Sequence, residues 1–164
     1  MRGLALAGLL LLAGCGGGGR ALSGPSGDYA AVECVPFARQ LSGIALYGEA
    51  ATWWEQAEGQ YERGPEPVEG GVLVFRRTGR LPSGHVSVVA RRVSDREILV
   101  TQANWVHHQI TRNEPVRDVS AANDWSAVRV WWAPSRTLGA TTYSTHGFIA
   151  PRGRGNLVAA LAPP

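Results

Sequence analysis

Near the middle of the chain four apolar residues stand in a row, Val72-Leu73-Val74-Phe75. Upstream, Pro65 and Pro67 force an extended entry, because proline fixes its own φ and biases the residue before it away from helix. The run reads as a buried strand, and the rest of the chain must build a core around it. Before it, Glu33 to Leu41 reads as a short helix: Pro36 suits the first turn, Phe37 and Leu41 share a face, and Gly43 stops it. Glu49 to Glu58, carrying Trp53 and Trp54 and ended by Gly59, reads as a second helix. After it, His85 to Val93 and Glu97 to Trp105 form two strands joined by Ser94-Asp95-Arg96, a hairpin signal. Val128 to Trp132 is another strand, and Gly147-Phe148-Ile149 a last short one. Helices first and antiparallel strands after is an α+β order. The expected fold is N-terminal helices packed on an antiparallel β-sheet.

The ends of the chain are expected to stay outside that core. Arg2 precedes a leucine-rich run from Leu4 to Ala13, too short to span a bilayer core of ~30 Å and typical of an export leader. Leu12-Ala13-Gly14-Cys15 then resembles the bacterial lipobox, which implies cleavage before Cys15 and acylation of its sulfur and amino group. At about 0.8 kcal/mol per buried methylene, several acyl chains anchor a protein firmly. No aspartate follows Cys15, a pattern that favours the outer membrane, facing the periplasm. The expected division is a leader over 1–14, lipidated Cys15 with a Gly-rich tether over 15–27, one domain over 28–150, and a loosely ordered tail over 151–164. With 45% hydrophobic and 18% charged residues, wholesale disorder is excluded. The net charge of +3 comes entirely from arginine, and no basic run exceeds Arg76-Arg77 or Arg91-Arg92. Nucleic acid is a poor fit as the main partner.

Cys15 and Cys34 are the only cysteines. Exported proteins normally pair theirs, but lipidation of Cys15 leaves Cys34 alone. Position alone leaves two readings open for Cys34. It is a thiolate favoured by the N–H groups and dipole at a helix start, or a small buried hydrophobe. A thiolate nucleophile needs a base. His107 and His108 lie past a strand end and His146 lies in a Ser/Thr-rich stretch, whereas His85 sits on a strand that can hold an imidazole toward a helix terminus. With the hairpin turning at Asp95-Arg96, positions 87 and 104 pair. His85, Ser87, Gln102 and Asn104 then share a face, and Asn104 lies diagonal to His85, where its amide oxygen accepts the Nδ1–H and fixes the tautomer.

Four stretches together carry a resemblance. They are Glu33-Cys34-Val35-Pro36-Phe37-Ala38-Arg39, Pro67-Val68-Glu69-Gly70-Gly71-Val72-Leu73-Val74-Phe75, Gly84-His85-Val86 and Gln102-Ala103-Asn104-Trp105. They resemble a CHAP domain, the cysteine- and histidine-dependent amidohydrolase/peptidases, papain-like enzymes that cut peptidoglycan amide bonds. The resemblance covers roughly Asp28 to Ile149. It implies Cys34 as nucleophile, His85 as general base and no cofactor. The family commonly places a glutamate where this chain has Gln102, followed two residues later by Asn-Trp. The expected orienter is therefore Asn104, with Gln102 as rival or helper. A neutral orienter stabilises imidazolium less than a carboxylate does, so modest activity is expected, and Gln102→Glu is expected to hold or raise it.

Other residues read more plainly. Trp53-Trp54 and Trp131-Trp132 are adjacent pairs in which at most one ring of each faces the core. Trp105 shields the site from water, and Trp105 and Trp54 are candidate substrate-binding rings. His107, His108 and His146 lack metal-ligand spacing, so no metal is expected. Asp118 and Asp124 read as turn or cap residues. Arg76, Arg77 and Arg80 form a solvated face or meet the carboxylates of stem peptides. The function this supports is a cell-wall hydrolase that cleaves amide or peptide bonds of peptidoglycan by a Cys-His mechanism, anchored as a lipoprotein. The alternative is a catalytically weak or inactive wall-binding scaffold. Gln102 argues for the scaffold, and a free thiol beside His85 argues against it.

Overall fold

A computed structural model of the chain describes residues 32–151 and 153. The leader, the lipobox with Cys15, the tether and nearly all of the tail expected after 150 lie outside the described residues. Strands dominate: β1 (Arg63–Gly64), β2 (Val72–Phe75), β3 (His85–Ser94), β4 (Glu97–Ala103), β5 (Ile110–Asp118), β6 (Ala127–Trp132), β7 (Thr137–Leu138) and β8 (Tyr143–Ile149). The α-helices are α1 (Cys34–Ser42) and α2 (Trp53–Gln56), the latter entered through a 3-10 turn at Ala50–Thr52.

The strands pair antiparallel in the order β1-β8-β2-β3-β4-β5-β6-β7. β8 also pairs with β6, through Ala127 to Ser144 and Val128 to Tyr143. That contact joins β2, β3, β4, β5, β6 and β8 into a closed six-stranded barrel. The expected α+β class, a papain-like domain of N-terminal helices on an antiparallel sheet, is thereby corrected. Among the described residues the fold is mostly antiparallel β, with α-helices of nine and four residues. Two local causes account for the difference. The segment expected as one helix from Glu49 to Glu58 is a 3-10 turn, a four-residue helix and further turns. And β5, unforeseen among Arg112, Asn113, Glu114 and Pro115, is the stave that lets the sheet curl round and close, removing its edges.

α1 forms as its sequence demands. The N–H missing at Pro36 is one that a first turn leaves unbonded anyway. Gly43 ends the helix at φ +75°, its N–H bonding Arg39 O at 3.0 Å.

β2 is buried along its whole length because its two faces serve two cores. Val72 and Val74, with Val86, Val88 and Ile149, pack against Ala38, Ile44, Leu46 and Trp53 from the helical side. Leu73 and Phe75 point the other way, into the barrel, with Val89, Ile98, Val100, Val116 and Trp125. Alternation along a strand makes such double service possible. Deleting a ring at this junction, as in Phe75→Ala, costs about 3–5 kcal/mol by the usual cavity rule.

Candidate active site

The barrel's inner face carries a polar network at one end of β3, β4 and β5. Alternation puts His85 and Ser87 on the side of Val89, and Gln102 on the side of Ile98 and Val100. His85 Nε2 lies 3.1 Å from Gln102 Oε1, and Ser87 Oγ donates to the same oxygen at 2.6 Å. Gln102 Nε2 donates to Glu114 Oε2 at 3.2 Å, which also accepts from Thr111 Oγ1 at 2.6 Å. His85, Ser87, Gln102 and Glu114 are all buried.

Two β-bulges bring Gln102 to the histidine, and Asn104 leaves the strand at φ +60°. At the hairpin end Ser94 pairs with Glu97, as a turn at Asp95-Arg96 requires. Irregularities follow between Arg92 and Ser94 and between Val89 and Arg91, each consuming one extra residue of β3. By Val88, paired with Thr101, the register has moved by two, and Ser87 comes opposite Gln102. The expected pairing of 87 with 104 is thus corrected. The histidine nitrogen involved is Nε2 rather than Nδ1.

Asn104 does other work. It takes the left-handed conformation at φ +60°, which asparagine tolerates, and ends β4. Its N–H donates to Gln109 O at 2.8 Å and its Oδ1 accepts from His108 N–H at 2.9 Å. Its Nδ2 donates to Glu33 Oε2 at 3.0 Å, tying the loop after β4 to the residue before Cys34.

Cys34 is free, half-buried and the first residue of α1. The backbone N–H of Val86, the residue after His85, and those of Val35 and Cys34 favour its ionised form. The sulfur therefore sits where the helix head meets the start of β3. Burial pushes the thiol above its ordinary pKa; the Val86 N–H pulls the other way, and the Glu33 carboxylate adds to the rise. Burial also pushes His85 down to about 4, against the opposing hydrogen bond to Gln102 Oε1. Desolvation beats the helix terminus here. The resting pair at neutral pH is a thiol and a neutral imidazole.

A glycine fixes where the imidazole starts. Gly84 has φ +71°, and a Cβ there would lie 2.7 Å from both Ala51 Cβ and Ala51 N and 2.8 Å from Phe75 O. Only glycine fits this close approach of β3 to the turn ahead of α2.

Aromatic rings wall His85. Phe75 meets it edge-on with centroids 5.5 Å apart, and Trp105 lies 5.0 Å away. Trp105 in turn packs on Tyr143 and borders a cavity of about 350 Å³ lined also by Arg80, Trp132 and Thr141. Trp54 stands elsewhere, stacked on His146 at 5.7 Å with the Arg63 guanidinium against its ring. His107 and His108 stack on one another. Asp118 and Asp124 accept from the N–H groups of Ser120 and Ser126 in turns. Arg76 bonds Thr145 O, and Arg77 pairs with Glu49.

The structure joins His85 to Gln102, sets Cys34 at the head of α1 against the start of β3, ties Asn104 to Glu33, and stacks Trp54 on His146. Sequence reasoning missed Glu114 and Thr111. Their one local signal is the polar run Thr111 to Glu114, in which Asn113 at φ +53° marks another bulge.

A buried imidazole at the start of β3 and a free thiol at the head of the helix packed on that strand are groups suited to acyl transfer. A family model described as the CHAP domain matches residues 24–104. The chain carries a CHAP domain. The match takes in Cys34, His85, Gln102 and Asn104 and stops short of Glu114 on β5. CHAP domains belong to amidase- and peptidase-type hydrolases that act on peptidoglycan. No curated protein matches the chain.

Proposed function

We propose that this CHAP domain cuts an amide bond in the peptide part of peptidoglycan by a thiol mechanism, with Cys34 as nucleophile, His85 as general base and Gln102 as its orienter. The observation that carries this reading is the buried hydrogen bond between His85 and Gln102, on the strand whose Val86 N–H favours the Cys34 thiolate. An amide oxygen can only accept, so His85 Nε2 holds the hydrogen and Nδ1 is left basic. As the substrate carbonyl arrives, Nδ1 takes the thiol proton while Sγ attacks. The imidazolium returns the proton to the leaving amine, and water then hydrolyses the thioester. With both groups neutral at rest, proton transfer belongs to the attack itself. The Cys34 backbone N–H at the helix head supplies an oxyanion donor. Trp105 keeps water from the imidazole, and Arg80 beside the adjoining cavity suits a stem-peptide carboxylate.

We also propose anchoring through lipidated Cys15 in the outer membrane, facing the periplasm, a reading supported by Leu12-Ala13-Gly14-Cys15. The test of the chemistry is mass spectrometry of muropeptides released from purified peptidoglycan. Wild type should release new fragments whose masses give the scissile bond, and Cys34→Ala and His85→Ala should release none. No release by wild type overturns the reading in favour of a wall-binding scaffold. For the anchor, Cys15→Ser should move the protein out of the membrane fraction; unchanged fractionation rejects it.

A further inference from the structure

Gln102 has two ends, and either could face His85. The oxygen end leaves Nδ1 free to accept a proton; the NH2 end would force Nε2 to accept and would put the imidazole hydrogen on Nδ1, where it blocks the base. Something must choose between two nearly isosteric orientations. Gln102 is fully buried, so solvent cannot. Ser87 cannot either, because a hydroxyl donates or accepts as required.

We infer that Glu114 is the positioning residue of this site, fixing the Gln102 amide and through it the tautomer of His85. Glu114 is 7% exposed, and its carboxylate accepts from Gln102 Nε2 at 3.2 Å. A flipped amide would set oxygen against oxygen at that distance, with no proton between. Thr111 Oγ1 holds the same carboxylate oxygen from the other side at 2.6 Å. The backbone is shaped for this. Glu114 pairs with Val100 and Thr111 with Gln102, so β5 spends three residues where β4 spends two, with Asn113 at φ +53° in the bulge. Without the extra residue Thr111 and Glu114, three apart, would point to opposite faces. Glu114 also lies beyond the residues matched by the family model, so the negative charge enters from a strand outside that match.

The inference rests on the proposed role of His85 but is tested apart from it. In the 15N-labelled full chain, long-range 1H–15N NMR at pH 7 should show His85 of the wild type as the Nε2–H tautomer. Wild type in the Nδ1–H form overturns the inference with no variant needed. Glu114→Gln, whose amide can present either end to Gln102, should populate the Nδ1–H form, lower kcat by about 10–100-fold and leave KM within about twofold. A structural role alone would lower the melting temperature without moving the tautomer. If wild type cleaves peptidoglycan while Glu114→Gln keeps both tautomer and kcat, Glu114 is not the positioning residue and the catalytic reading stands. If wild type is inactive yet Glu114→Gln shifts the tautomer, the catalytic reading falls and the positioning role stands. Should Glu114→Gln not fold, the wild-type tautomer decides.

Discussion

Replacing Gln102 by glutamate looks like an improvement, since a carboxylate would support an imidazolium better than an amide does. The network around it predicts the reverse. The group now 3.2 Å from Glu114 Oε2 is an N–H donor; a carboxylate in its place brings two anions together with no proton between them. At an effective dielectric of ~20, two unit charges that close repel by about 5 kcal/mol. The alternative is to bind a proton. Against an ordinary glutamate pKa of ~4.3, holding one on the pair at pH 7 costs about 4 kcal/mol, and at pH 5 about 1 kcal/mol. Protonation is the cheaper route, and His85 resists taking that proton because burial holds it to about 4. The folded variant therefore carries a proton that the unfolded chain has lost, and its stability must fall as pH rises from 5 to 7.

A loss of about 4 kcal/mol is a large share of the 5–15 kcal/mol that holds a domain together. Urea unfolding of wild type and Gln102→Glu at pH 5, 6 and 7 measures it directly, and the deficit should widen by about 3 kcal/mol across that range. Adding Glu114→Gln restores one amide against one carboxylate with the roles exchanged. The double variant should recover to within about 1 kcal/mol of wild type and lose the extra pH slope, because no like charges remain. Equal stability of Gln102→Glu and wild type at pH 7, with parallel pH dependence, would refute the reasoning.

Four further outcomes follow from the same site. Keeping His85 neutral helps folding fully above its unfolded pKa of 6.5, and that help, about 3 kcal/mol, is lost as pH falls toward about 4; in urea titrations His85→Gln should lack this part of the acid slope. Cys34 should alkylate slowly with iodoacetamide at pH 7 and faster through pH 9 and above, since burial raises its pKa, and Glu33→Gln should speed the reaction by removing a carboxylate that adds to the rise; a fast plateau near neutrality rejects this. Gly84→Ala should cost at least about 2 kcal/mol in thermal unfolding, given φ +71° and contacts of 2.7 Å to Ala51. Gln102→Ala should lower kcat about 100-fold and Asn104→Ala less than about 10-fold, because only Gln102 touches the imidazole.

What the sequence made legible was local. Proline and glycine bracketed α1 correctly because a first turn and a left-handed cap have residue requirements of their own. Val72 to Phe75 announced a buried strand because both faces must be apolar when both are covered. Cys34 at a helix head and His85 behind a glycine could be picked out by chemistry and position. Barrel closure could not, since it depends on β6 meeting β8, segments whose strand patterns carry no mark of their partner. Register failed for a related reason: the extra residues in β3 fall between Val89 and Ser94, where every side chain from Ala90 to Ser94 is exposed and no buried face marks the register. The consequence reaches the chemistry. Read along a regular hairpin, Gln102 is a glutamate lost and Asn104 its substitute. In the folded chain the bulges of β3 bring Gln102 to His85, and the bulge of β5 brings Glu114 to Gln102. The carboxylate is still in the network, one hydrogen bond farther from the imidazole and on a different strand. An amide between them can pass on orientation, because its two ends differ, but it cannot itself take up a proton. The site thus keeps the selection of a tautomer while holding the negative charge away from the imidazole, and that separation fits a histidine that rests neutral.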